Sequence, residues 1–200
     1  MAVDNAGQDI SSFVHRSLLD AYATGDQLTK AARSTAGGTY PDTGLANRLQ
    51  LTAGLLKAGY GARVYYTIQS GYDTHAAQQN THANLLRELG GALKAFLDDL
   101  ATARLADRVL VMTFSEFGRQ LQENASAGTD HGAAGPVFIG GSQVRPGLLG
   151  QPPNLADLDG GAPKMTVDFR SVYAAILEKW LGVSARTSLA GTFEPLALFR

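Results

Sequence analysis

Cysteine is absent from this 200-residue chain. That excludes disulfides, thiolate catalysis and cysteine-ligated zinc together, so any metal must be held by His, Asp, Glu and main-chain oxygens. Histidine is scarce: the 4 are His15, His75, His82 and His131. Charge of one sign is also lacking, since 17 Lys+Arg against 18 Asp+Glu leave a net −1. Neither a nucleic-acid backbone nor an anionic membrane surface is favoured as a partner by that balance. No apolar run is long enough to cross a bilayer. The opening "MAVDNAGQDI" has neither the basic region nor the apolar core of a secretory signal, so the chain stays where it is made or a leader lies outside this sequence. There is no G-x-S-x-G elbow and no G-x-x-x-x-G-K-[ST] loop, which argues against an α/β-hydrolase nucleophile and a P-loop.

What is present describes a globular chain. Hydrophobic residues make up 44% and charged residues 18%, and the length suits one domain over residues 1–200 with a sizeable core. Helical spacing of Ile10, Phe13, Val14, Leu18, Ala21 and Tyr22 predicts a helix over 8–33. Leu45, Leu49, Ala53 and Leu56 predict a second over 43–58, and Leu85, Leu89, Leu93, Phe96 and Leu100 a third over 78–103. Asp98 and Asp99 read as a solvated face of that third helix, and His15 as a structural histidine of the first. A fourth helix over 167–181 carries Phe169, Val172, Tyr173, Ile176, Leu177 and Trp180, with Asp168 or Thr166 as its cap. The tail "TFEPLALF" is apolar enough to dock.

Strands are predicted over 62–70 ("ARVYYTIQS") and 109–113, with a long helix between them. Such a unit is a right-handed βαβ crossover, which makes the two strands parallel. The loops "GYDTH" and "SEFGR" then leave the same C-terminal edge, where open α/β sheets bind ligands. A third strand over 136–139 follows without an intervening helix, so it is expected to be antiparallel to its predecessor. That places "GTDHG" at the same edge.

Together the three loops and the helix they lead into offer Asp73, His75, His82, Glu116, Arg119, Asp130 and His131. Carboxylates mixed with imidazoles suit zinc, manganese, iron or magnesium. A metal there would polarise an oxyanion or lower the pKa of water, and Arg119 would clamp a phosphate or sulfate. Each residue also has a plainer reading. Asp73 caps a turn, His82 is a solvated helix histidine, Glu116 and Arg119 form a structural ion pair, and Asp130 orients an imidazole without touching metal.

The ordered set "GYDTH", H-x-x-L-L at 82–86, "VLVMTFSEFGR", "GTDHG" with "PVFIGG", and "TVDFRSVYAAILEKWLG" resembles the domain-of-unknown-function 1501 family from about residue 38 onward. That bacterial family, usually exported by the twin-arginine route, looks like a branch of the alkaline phosphatase and sulfatase superfamily. The resemblance implies a three-layer α/β/α fold with a mostly parallel sheet, and cleavage of phosphate or sulfate esters at one or two metals. It also implies a periplasmic or secreted location, against a cytoplasmic one if the chain is complete. Asp73 with His75 or His82 resembles the superfamily's mid-chain ligands, and His131 its final metal-binding His. Glu116 stands in the place of its Asp and Phe117 in the place of a His, which weakens a second metal site. The superfamily's nucleophile and first Asp ligand come from an earlier strand, so the chain looks like the C-terminal portion of a longer architecture, an incomplete domain.

The expected activity is therefore metal-dependent hydrolysis of a phosphate or sulfate ester. Asp73, His75 and His131 hold one divalent ion (zinc, manganese or iron), with His82 and Asp130 as further metal candidates. Glu116 serves as a ligand or general base, and Arg119 binds the anion. The expected partner is a small anionic ester or a sulfated or phosphorylated glycan. The alternatives are a non-catalytic secreted or periplasmic binding module that keeps the pocket, and a fragment that self-associates or pairs with an N-terminal half.

Overall fold

The computed structural model describes the backbone of residues 5–33 and 37–200, and the side chains of these except 5–9, 27 and 31–33. The chain divides into two compact units that interleave in sequence, Met1–Ser70 with Leu86–Leu105 and Gly71–Leu85 with Ala106–Arg200.

The first unit is helical. It contains α1 (Asn5–Arg33), α2 (Gly44–Lys57) and all but the first turns of α3 (Gln78–Thr102). The α1 helix forms where its periodicity places it, but Ile10, Phe13, Val14, Leu18 and Tyr22 of its apolar stripe are exposed. Thr43 caps α2 by accepting a hydrogen bond from the Ala46 N–H, which satisfies one of the donors a helix start leaves open. The face α2 buries carries Leu45, Leu49, Ala53 and Leu55, so Leu55 takes the place expected of Leu56. The next segment, 62–70, expected to be a strand, belongs to none of the strand pairs described.

One expectation fails in α3. Asp99 is not on a solvated face; it is 4% exposed, in line with Ala92, Phe96 and Leu100. Seven residues after Ala92 make two helical turns, which returns Asp99 to the buried side. A buried carboxylate needs partners. Lys57 Nζ lies 2.6 Å from its Oδ1, and the Tyr40 hydroxyl donates to Oδ2 at 3.0 Å. A Cβ at Gly38 would stand 2.9 Å from the Asp99 Cγ, so the backbone there passes too close for a side chain. Burial, then the hydrogen bond to Asp99 and its charge, pushes the Tyr40 hydroxyl well above the usual phenol range.

The second unit holds all the strands described, in three two-stranded antiparallel pairs. They are β1 (Val111–Met112) with β4 (Ile139–Gly140), β2 (Gly118–Arg119) with β3 (His131–Gly132), and β5 (Leu158–Asp159) with β6 (Ala162–Pro163). The β1–β4 pairing is the antiparallel one expected from the missing crossover helix. Helix α4 (Phe169–Ala175) starts at Asp168, whose side chain accepts from the Arg170 N–H, and runs on as a π-helical turn, Ile176–Trp180. A short α5 (Ala185–Leu189) follows. The core joins Val172 and Ala175 of α4 to Leu198 of the tail, with Met112 and Ile139 packed against them. The tail docks as expected: the Arg145 N–H donates to the Leu198 carbonyl at 2.8 Å, and Trp180 stacks on Phe199. Among the described residues no helix is long and apolar enough to cross a membrane.

Candidate metal centre

Two loops of the second unit build the site. Residues 71–75 turn sharply: Gly71 has φ +104, a conformation that favours glycine, and the Thr74 N–H donates to the Tyr72 carbonyl at 2.9 Å. Opposite stands the β2–β3 ribbon, whose register sets Arg119 across from His131 and Gly118 across from Gly132. A Cβ at Gly118 would lie 1.7 Å from the Ala134 carbonyl oxygen, which is why the ribbon closes only on glycine.

Arg119 ties the two loops together. Its guanidinium donates to the Thr129 carbonyl at 2.5 Å, to the Thr74 hydroxyl at 3.1 Å and to the Tyr72 carbonyl. Its terminal nitrogens therefore serve the loops, and the residue expected to clamp a substrate anion acts first as an internal staple. Its charge also reaches Asp73.

The result is a convergence of donors far apart in sequence. Asp73 Oδ1 lies 2.7 Å from His131 Nε2 and 3.1 Å from His75 Nε2, and the two imidazole nitrogens are 3.1 Å apart. Asp73, His75 and His131 are all exposed, so the cluster is open to solvent. The hydrogen bond from His131 and the charges of His75, His131 and Arg119 hold the Asp73 carboxyl below the usual carboxylate range, and it is ionised at neutral pH.

With Asp73 ionised, protons cannot satisfy this triangle. A proton on His131 Nε2 serves the contacts to Asp73 and His75, but leaves the His75 lone pair against the carboxylate. A proton on His75 Nε2 instead leaves the His131 lone pair against it, and protons on both set two donors face to face. One edge is mismatched in every case, whereas a cation at the centre would satisfy all three atoms. Ligands about 2.0–2.1 Å from a zinc ion at tetrahedral angles stand about 3.3–3.4 Å apart. The two 3.1 Å edges reach that size by opening about 0.2–0.3 Å, and the 2.7 Å edge by opening about 0.6–0.7 Å.

Behind the triangle, Asp130 Oδ1 lies 3.2 Å from His75 Nδ1, the nitrogen pointing away from it. Hydrogen bonds from Asn124 and then from His75 hold the Asp130 carboxyl below the usual range. Asp130 thus contacts the back of His75, the orienting place, and Asp73 supplies the carboxylate at the front. Phe117 stacks on the His131 ring, with centroids 3.7 Å apart and planes 9° from parallel, and fixes its orientation from one side.

Besides Arg119 and Asp130, two more expected residues fall outside the triangle. Glu116 is exposed and does not join the donor set. His82 is on α3, its ring edge-on to Tyr72 with centroids 5.7 Å apart, and its buried Nδ1 has no hydrogen-bond partner among the described residues. Position 82 lies about one turn into α3, which begins at Gln78, whereas His75 is within the loop that carries Asp73. Sequence reasoning missed Asn124 altogether; its one signal is an Asn leading a small-residue turn, "NASAG".

A family model described as "Protein of unknown function (DUF1501)" matches residues 11–191. The chain belongs to that family. The DUF1501 span contains the whole triangle, its Asp130 and Asn124 support, and the Arg119 staple. No curated protein and no solved structure matches the chain significantly.

Proposed function

We propose that this DUF1501 chain is a metal-dependent hydrolase-like domain acting on phosphate or sulfate esters, with one divalent ion held by Asp73, His75 and His131. The observation that carries the metal is the triangle itself, three exposed donor atoms within 2.7–3.1 Å that protons leave mismatched. Two imidazoles and one carboxylate suit zinc, manganese or iron. Three protein ligands leave a position open, which is the pattern of a catalytic site. The ester chemistry rests on the likeness of "VLVMTFSEFG" and of His131 before "GPVFIGG" to the alkaline phosphatase and sulfatase superfamily. The three-layer α/β/α architecture and a periplasmic or secreted location belong to the same proposal.

In this reading Asp73 and the two histidines bind the ion and orient it. Arg119 holds the 71–75 loop against β2–β3 and adds positive charge beside Asp73. Glu116, exposed on the "SEFGR" turn, is the general-base candidate. When bound, the ion supplies Lewis acidity at the ester oxygen.

A specific observation favours a second reading, a non-catalytic binding module that keeps the metal to fix its loops. Arg119 spends its terminal N–H groups on loop oxygens, and Glu116 is outside the cluster. Elemental mass spectrometry of the parent and of His131→Ala tests the metal first. Near-stoichiometric zinc, manganese or iron, lost in the variant, is the expected result; no metal after soaking would defeat both readings of the site. Turnover of aryl phosphates or sulfates with added zinc or manganese then separates enzyme from module.

A further inference from the structure

We infer that Asn124 is a positioning residue that sets His75 in its metal-ready form, acting through Asp130; the inference rests on the metal reading above. The argument begins with the amide's orientation. Asn124 Oδ1 accepts from the Ser126 N–H at 3.0 Å and from the Gly128 N–H at 3.1 Å. Two backbone donors can meet only the oxygen, so the NH₂ group is forced to the other side. There its two protons meet two acceptors, the His75 carbonyl at 3.1 Å and Asp130 Oδ1 at 3.3 Å. All four hydrogen-bonding positions of the amide are then used.

Asp130 passes the constraint on. A carboxylate oxygen only accepts, so the atom it meets on His75, Nδ1 at 3.2 Å, must carry the proton. A neutral His75 then presents the Nε2 lone pair to Asp73 and His131, the form a metal requires. The turn bearing Asn124 is locked in place by more than this side chain. Ala77 and Gln78 donate their N–H groups to the Ser126 and Ala127 carbonyls at 3.0 and 2.9 Å, so the turn closes the start of α3. A Cβ at Gly128 would stand 2.2 Å from the His75 carbonyl carbon, so the turn lies flush on the His75 backbone. Asn124 therefore reads the position of residue 75 through its carbonyl and sets the imidazole's tautomer through Asp130.

The sharpest variant is Asn124→Asp, which keeps the oxygen facing Ser126 and Gly128 and replaces the NH₂ group by an acceptor. Gln122→Glu, an exposed position in the same connection, controls for the added charge. Two readouts are paired: the zinc dissociation constant by chelator competition, and the His75 tautomer in metal-free protein by long-range proton–nitrogen NMR. The expected result is that the neutral form of His75 carries its proton on Nδ1 in the parent and in Gln122→Glu, with that preference lost in Asn124→Asp. Zinc affinity falls roughly 10–100-fold in Asn124→Asp, the range for outer-shell partners, and holds in the control. An unchanged tautomer, or an unchanged zinc affinity with the tautomer lost, overturns the inference. If Asn124→Asp does not fold, the parent decides alone, because an Nε2–H tautomer at His75 overturns it. A parent that binds no zinc defeats the metal reading, while the NMR result still decides what Asn124 does.

Discussion

Two charged clusters, one in each unit, are built from similar residues and do opposite things. In the first unit Asp99 is buried and committed, with Lys57 at 2.6 Å and Tyr40 at 3.0 Å, and each polar atom in contact has an opposite partner. In the second, Asp73, His75 and His131 are exposed and converge on one another with one edge mismatched whatever the protonation. A satisfied buried cluster secures the fold, and an unsatisfied exposed one is available to a ligand. Burial alone would have ranked them the wrong way round for function.

The comparison is broken most severely at Asp99. Asp99→Ala leaves the largely buried Lys57 side chain without its partner, and should cost the first unit about 3–5 kcal/mol in chemical denaturation. The double variant Lys57→Met/Asp99→Leu should recover most of that, since a well-packed apolar pair often equals a buried ion pair. If it does not recover, the pair has a role beyond stability, and the contrast between the units weakens.

The matching change in the second unit should act on binding instead. Asp73→Ala should lower zinc affinity by more than the roughly 100-fold that loss of an outer partner costs. It should leave the melting temperature of the metal-free protein near the parent's. A large loss of stability with little change in zinc affinity would make Asp73 a turn residue and reverse the comparison.

Tyr40→Phe sharpens the contrast more gently. It removes one hydrogen bond to Asp99 and should cost about 1 kcal/mol. The Tyr40 hydroxyl is raised in the fold, so its contribution is complete below the ordinary phenol range and fades as pH rises through and beyond ~10. Parent and variant should therefore converge in stability at high pH, and parallel curves would show that the hydroxyl's proton is not what Asp99 holds.

The smallest effect belongs to Asp168, a half-buried cap paired with Arg170. The Arg170 side chain and N–H hold its carboxyl below the usual range. Its contribution is present above the ordinary Asp value of ~3.9 and is lost as pH falls through the lowered one. Asp168→Ala should melt slightly below the parent at neutral pH, with the gap closing in acid; a gap that stays constant would assign the cap to packing.

Much of the architecture was legible because it depends on local periodicity. The helices at 5–33, 44–57 and 78–102 lie within a few residues of where apolar spacing puts them, and Asp168 caps α4 because a short acceptor before a helix has little else to do. The antiparallel β1–β4 pair followed from a missing crossover helix, and that reasoning brought "GTDHG" toward "GYDTH". The parts that were not legible depend on partners. Nothing in "DD" says that Asp99 faces inward while Asp98 does not, and nothing in "SEFGR" says that Arg119 donates to Tyr72, Thr74 and Thr129.

By itself, the sequence determined the inventory: no thiols, four histidines, and acids and imidazoles gathered in three loops and at the start of a helix. With metal ligands so few, any metal site had to be drawn from that set. Only the tertiary structure decided which members meet. It chose Asp73, His75 and His131, gave Asp130 and Asn124 the supporting places, and left Glu116 and His82 aside. The physical reason is that ligation and hydrogen bonding are fixed within tenths of an ångström. Such distances arise from strand register and from close backbone approach at Gly118 and Gly128, which residue type alone does not encode.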